Sequence, residues 1–412
     1  MTHPARVRVE RVREASTATT LELFFDLVFV FALTQVTALM ADDVSGRGLL
    51  RGVLLIAVVW WCWVGYSWLS NVVKADEGWA RVALLVAMAA MFLVALAIPE
   101  SFEDLPGGLS GPTVFALAYL VLRLTHLVLF WMISGNDAGL HRQVALFAPT
   151  MVGGTALLLL AATTSGNAQI LLWLAAVVAD YGGTLVIGAR GWRLGSARHF
   201  AERHGLIVMI GLGESIVAIG VGVTALPISW PIIVAATLGL SVSASLWWVY
   251  FDTSALLGEH ALAEARGEHR VSMARTAFTY LHLPMMGGIV LLALGLKKVL
   301  EYVGDTGHHT LSDKLYGVPL WAMYGGVAVY LLAHVGFSYR CYRNLKAFRL
   351  AAAAVCVALV PLVANLPALT SLGILAALLI VLNAVEMIRF AEARSTLRHG
   401  DPGEVHGEPR QE

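Results

Sequence analysis

The sequence predicts an all-α membrane protein, with about twelve transmembrane helices arranged as two parallel six-helix repeats. Three observations predict it. Hydrophobic residues fill 58% of the 412 positions and charged residues only 14%, where soluble domains carry roughly 25% charged residues. Apolar runs of membrane-spanning length recur from end to end, and the basic residues gather in every second connection. A water-soluble fold of this length has too little interior to hide that much apolar surface.

A helix needs about 20 apolar residues to cross the hydrocarbon core. Runs of that length fall near 21–40, 49–69, 79–99, 112–133, 144–164, 168–189, 204–225, 230–252, 275–296, 317–338, 348–366 and 369–391. The arm 1–20 is polar and carries Arg6, Arg8, Arg11 and Arg13, as a signal peptide would. Glu22, Asp26 and Gln35 inside the following run argue instead for a retained helix, because a cleavable apolar core is shorter and uncharged. Gly153-Gly154, Gly182-Gly183, Gly287-Gly288, Pro284 and Pro361 fall inside runs and mark close packing or kinks. Residues 253–274 mix leucines with Glu and Arg and are expected to form an amphipathic helix on the membrane surface. The expected units are therefore a first repeat at 21–190, a linker at 191–203, a second repeat at 204–392 and a disordered tail at 393–412.

Orientation follows from the connections, since Arg and Lys are retained on the cytoplasmic side. One set of alternate connections carries 22 basic residues and the other five. The expectation is a bacterial inner-membrane protein with both termini and the 191–203 linker in the cytoplasm. Cys341, placed in a basic cytoplasmic loop, should react with impermeant thiol reagents from that side only. With Cys62 and Cys356 inside apolar runs, no disulfide framework is implied.

Five correspondences suggest the repeat. Glu22 matches Glu202, Trp60-Trp61 matches Trp247-Trp248, Ala80-Arg81 matches Ala274-Arg275, His126 matches His334, and Asp180 matches Glu386. Six helices per half would relate the halves by a pseudo-twofold axis along the membrane normal.

An ionisable group at mid-bilayer costs at least about 2.5–3.5 kcal/mol, so each needs a partner, water or a function. The candidate intramembrane polar site is Glu22, Asp26, Arg123, His126, Asp180, Glu214 and His334, with His282 and Glu386 beside them. On one reading Arg123 neutralises an acid and fastens the bundle while the histidines bond to neighbouring helices. On the other, Asp26, Asp180 and Glu214 form a titratable path for protons or cations between the halves. Depth counting makes Glu214 the first candidate partner for Arg123, with Asp26 and Asp180 as fallbacks. Tryptophans 60, 61, 63, 68, 247 and 248 cluster toward one end of their helices and suggest an interfacial belt. His308 and His309, with Asp305 and Asp313, match no strong metal spacing and read as a solvated loop. The sequence contains no phosphate loop, HExxH, GxSxG or nucleic-acid pattern, so neither enzyme activity nor a cofactor, metal or nucleic-acid partner is expected. The expected partners are the lipid bilayer and a small ion or solute.

Two stretches carry a family resemblance. The first runs from Thr20 through Leu21, Glu22, Leu23, Phe24, Phe25 and Asp26 to Phe31. The second comprises His199-Phe200-Ala201-Glu202-Arg203-His204-Gly205 with Gly211-Leu212-Gly213-Glu214-Ser215. Both resemble the bacterial low temperature requirement A family. The resemblance implies a polytopic membrane protein linked by name to growth in the cold, and brings no substrate or reaction. The functional expectation is movement of a proton, small ion or small solute. A non-transporting sensor, scaffold or lipid-handling factor in cold or stress adaptation is the alternative.

Overall fold

The computed structural model describes residues 17–74, 78–135, 137–188, 191–224 and 226–390. The expected cytoplasmic arm up to residue 16 and the expected tail 393–412 lie outside them. Among the described residues every regular element is a helix. In order these are α1 (Thr20–Asp42), α2 (Gly46–Val72), α3 (Gly78–Ala97), α4 (Gly111–Ser134), α5 (Ala138–Ala161), α6 (Gly166–Ile187) and α7 (Ala197–Gly222). They continue as α8 (Trp230–Phe251), α9 (Ser254–Glu264), α10 (Gly267–Met273), α11 (Leu281–Gly304), α12 (Val318–Tyr342), α13 (Ala347–Val363) and α14 (Ala368–Arg389). Eleven segments are long and apolar enough to cross a membrane, α8 running on into α9 and α10 into α11. The twelfth apolar helix, α13, has 17 residues, at the short end of the spanning range.

Each expected run is a helix, and the differences lie at the ends. The apolar run at 204 begins about two turns late, because α7 starts at Ala197, where the Ser196 side chain accepts the His199 amide. That first stretch holds Arg198, His199, Glu202 and Arg203, which a search for apolar residues passes over. At the start of α1, the Thr19 hydroxyl accepts the Glu22 amide while the Glu22 carboxylate accepts the Thr19 amide at 2.7 Å. This reciprocal pair satisfies two donors that a helix start leaves open.

Packing has a centre and a rim. The central helix, α11, is buried along most of its length against α7, α12, α1 and α8. At the rim, α6 turns Leu171, Val178 and Leu185 outward, an apolar surface suited to lipid. In the first half α1 packs on α2 and α3, α3 on α4, α4 on α5, α5 on α6, and α6 returns to α2. In the second half α7 packs on α8 and α11, α11 on α12, α12 on α13, α13 on α14, and α14 returns to α8. The halves meet chiefly through α1 and α2 against α7 and α11.

In each of the three glycine pairs only the second member is packed. A Cβ on Gly154 would lie 3.1 Å from the Asp180 carboxyl, one on Gly183 would strike Thr150, and one on Gly288 would lie 2.5 Å from the Gly326 carbonyl. Gly153, Gly182 and Gly287 face open space. Between α10 and α11 the chain makes a π-helical stretch, Ala274–Tyr280, just before Pro284. Proline has no N–H to return to the carbonyl four residues back, and a widened turn is one way a helix absorbs that loss.

The 253–274 connection is helical, as expected, but it does not lie on a surface by itself. Instead α9 packs against α7 and α12, burying Ser254, Gly258 and Leu262. Gly258 permits this approach, since a Cβ there would lie 2.5 Å from the Phe337 ring. Cys341 also departs from expectation: it sits in the last turn of α12 and is buried, so it cannot serve as an accessible label.

Candidate functional site

The acids of the first signature meet the bases of the second. Glu22 and Asp26, one turn apart on α1, face His199 and Arg203, one turn apart on α7. Arg203 Nη1 lies 2.8 Å from Glu22 Oε1, and Nη2 lies 2.6 Å from Asp26 Oδ1. His199 Nε2 stands 3.0 Å from Glu22 Oε1. From α2, Trp63 donates its indole N–H to Asp26 Oδ1 at 2.7 Å, and Asn71 bonds His199 Nδ1 at 3.2 Å. All four charged or ionisable groups are buried, at 2% exposure or less. Two carboxylates share one guanidinium here, and Asp26 Oδ2 has no hydrogen-bond partner among the described residues.

A second pair holds the first half together. Arg123, halfway along α4, binds Asp180 of α6 at 2.7 Å, and Tyr119 donates its hydroxyl to the other Asp180 oxygen at 2.8 Å. Glu214, the expected first choice, is not the partner. Equal depth along two helices says nothing about lateral distance, and α4 packs on α3 and α5 whereas α7 packs on α8, α11 and α1. His126, one turn from Arg123, donates from Nε2 to the Gly65 carbonyl at 3.0 Å.

The second half has its own ion pair. Arg349 grips Glu386 through two nitrogens at 2.8 and 2.6 Å, and its Nη1 reaches His334 Nδ1 at 2.8 Å and the Val249 carbonyl at 2.9 Å. Between this pair and the Arg203 cluster stands a row of rings. His204 lies 5.1 Å from the Trp63 ring and 5.2 Å from the His282 ring, and Tyr250 donates to His282 Nε2 at 2.9 Å. The His282 Nδ1 proton bonds the Ala277 carbonyl in the π-helical turn at 3.0 Å.

Glu214 differs from every other intramembrane acid. It is 1% exposed, on α7, and its Oε2 lies 2.5 Å from the Thr34 hydroxyl of α1. No Arg, Lys or His among the described residues pairs with it; Lys297 of α11 stands beyond ion-pair distance. At 1.5 Å per residue it sits about 26 Å along α7, against about 9 Å for Arg203, so the two occupy different levels.

The expected single site is thus divided. Glu22 and Asp26 belong to the junction of the halves, Arg123 and Asp180 to the first half, His334 to the second, and Glu214 stands apart. Sequence reasoning placed Arg203 and Arg349 among the loop charges, yet both are buried inside helices. The available signal was spacing, since Glu22/Asp26 and His199/Arg203 each present one pair on one helix face. The tryptophan belt is also corrected. Trp60, Trp61 and Trp63 are at most 4% exposed, and Trp60 and Trp68 donate to the backbone and hydroxyl of Thr279. Of the six tryptophans assigned to the belt, Trp247 and Trp248 are the exposed ones.

In the 305–313 loop His308 bonds Asp305 and His309 bonds Asp313. Among the described residues no three His, Cys, Asp or Glu side chains converge as a metal site would require.

Apolar helices of spanning length wrapped around buried, mutually paired charges define a multi-pass α-helical membrane protein. The residues that form its central junction are the two signature stretches. The chain belongs to the bacterial low temperature requirement A family, whose description, "Bacterial low temperature requirement A protein", matches residues 17–384. It is also similar to "Uncharacterized protein RA0937" of Rhizobium meliloti (strain 1021), with 29% identity over 321 residues covering 74% of this chain and 75% of that protein.

Proposed function

We propose that this protein moves a proton or small cation across the bacterial inner membrane, with both termini in the cytoplasm, and that Glu214 is the group that carries the ion. One observation carries the reading. Asp180 and Glu386 each hold an arginine, and Glu22 and Asp26 share Arg203 with His199 beside Glu22, whereas Glu214 is buried against a hydroxyl with no counter-charge among the described residues. A carboxylate taken out of water without a partner is too costly to stand bare. It holds a proton or a cation taken from solution, and release of that ion is the elementary step of transport. The repeated order of neighbours in the two halves supports two six-helix units, 21–190 and 204–392, hinged at the Arg203 junction. On this reading the protein is not an enzyme.

The test is flux in reconstituted vesicles, with a pH-sensitive dye inside and a panel of alkali cations outside, with and without a pH gradient. Flux above that of empty vesicles is expected for the native protein and should be lost in Glu214→Gln. Native vesicles no leakier than empty ones, or an unchanged rate in Glu214→Gln, would overturn the proposal. The charge clusters elsewhere, in which each acid meets an arginine, favour a second reading, a non-transporting sensor, scaffold or lipid-handling factor in cold or stress adaptation. That reading gains if the native vesicles stay tight.

A further inference from the structure

Away from Glu214, a pocket opens beside α2, α4, α5 and α6, and the π-helical stretch at Ala274–Tyr280 forms part of its wall. Trp61, Trp68, Phe130, Phe147 and Trp192 contribute rings to its walls. Trp192 stands edge-on to Phe130, Phe147 and Trp68 at 5.6, 6.1 and 6.1 Å. Among the lining residues Arg123 and His126 are buried, whereas Arg275 and Gly188, the residue that ends α6, are half-buried.

Two guanidinium groups line this pocket, and both leave an Nε–H without an acceptor among the described residues. Arg123 is 3% exposed and has one carboxylate partner, Asp180. Among the described residues Arg275 donates to the Thr184 carbonyl, at 3.2 Å, and has no carboxylate partner. The π-helical turn carries both Arg275 and Thr279 to the pocket wall, and such turns are frequent at functional sites because they re-aim side chains that a regular helix would place elsewhere. An arginine cannot shed its charge, so a half-buried one without a carboxylate leaves the pocket positive.

Aromatic walls alone would suit an organic cation. That choice is blocked here, because the Arg123 guanidinium already lies 5.8 Å over the Phe147 ring and Arg275 adds a second positive charge. We propose that this pocket binds a hydrophobic monoanion, an aromatic or aliphatic acid whose apolar body lies among Trp68, Phe147 and Trp192 and whose acidic head bonds Arg275. The same chemistry is offered by a free organic acid and by the acidic head of a membrane lipid.

Calorimetric titration separates these cases. The full chain in phosphatidylcholine nanodiscs is titrated with naphthalene-2-carboxylate, with its neutral carboxamide and with 2-naphthylmethylammonium. The acid should bind saturably and at least about tenfold more tightly than the amide, the discrimination expected of one charge-assisted hydrogen bond, and the ammonium should not bind. Arg275→Gln should remove the preference for the acid, Arg275→Lys should keep part of it, and Trp192→Ala should weaken acid and amide alike. Thermal melting of the Arg275→Gln protein establishes that it is folded. Repeating the titration in nanodiscs containing phosphatidylglycerol identifies the source, since competition by the lipid marks a headgroup site and its absence a free acid. Equal binding of acid and amide, or acid binding unchanged in both Arg275→Gln and Trp192→Ala, would overturn the proposal. Neither outcome depends on ion flux, so failure here is distinct from failure of the Glu214 reading.

Discussion

Arg203 is the residue that joins the two halves. Its guanidinium faces Glu22 and Asp26 together, and a planar fork with several donors does this where an ammonium on a flexible stem would not. Removing one partner of a buried pair leaves the others charged and desolvated, at a cost of about 3–5 kcal/mol. Arg203→Gln should therefore lower the melting temperature sharply, read by tryptophan fluorescence in detergent. Adding Asp26→Asn should restore part of the loss, because the second substitution removes one of the stranded charges. A melting temperature equal to that of the native protein in Arg203→Gln would show that the cluster does not fasten α1 to α7. The acids of this cluster were legible in the sequence, being charges inside an apolar run. Their bases were not, because charges at a helix end look the same whether they face water or a buried carboxylate.

At the scale of the element, the twelve apolar helices were legible because a bilayer demands a fixed length of apolar chain. Their contacts were not. Gly288 of α11 meets Gly326 of α12 backbone to backbone, while Gly287, its neighbour, faces open space. A methyl group on Gly288 has nowhere to go, since backbone on the partner helix cannot turn aside as a side chain can. Gly288→Ala is expected to destabilise the protein by about 1–3 kcal/mol, the usual range for overpacking, with Gly287→Ala within about 0.5 kcal/mol of native as an outward position should be. Denaturation of the two variants side by side measures the contrast, and equal stabilities would mean that α11 and α12 are not packed this closely in the membrane.

For the whole molecule, the orientation read from the basic connections can be tested once the buried cysteines are recognised as silent. Cys62, Cys341 and Cys356 are all buried, so new cysteines at exposed sites on opposite faces, Asn344→Cys and Ser312→Cys, report cleanly. In intact cells an impermeant maleimide should label Ser312→Cys, and Asn344→Cys only after lysis; the reverse pattern would invert the topology. The sequence by itself determined that the chain is a multi-pass helical membrane protein, because hydrophobic length and charge bias act locally and can be read a segment at a time. It also determined which residues are too costly to be incidental. Tertiary structure alone decided that Arg123 belongs to Asp180, that Arg203 and Arg349 are interior residues, and that Glu214 has no counter-charge among the described residues. Pairing depends on lateral position and helix rotation, and these are set by the packing of the entire bundle, not by any one run of residues.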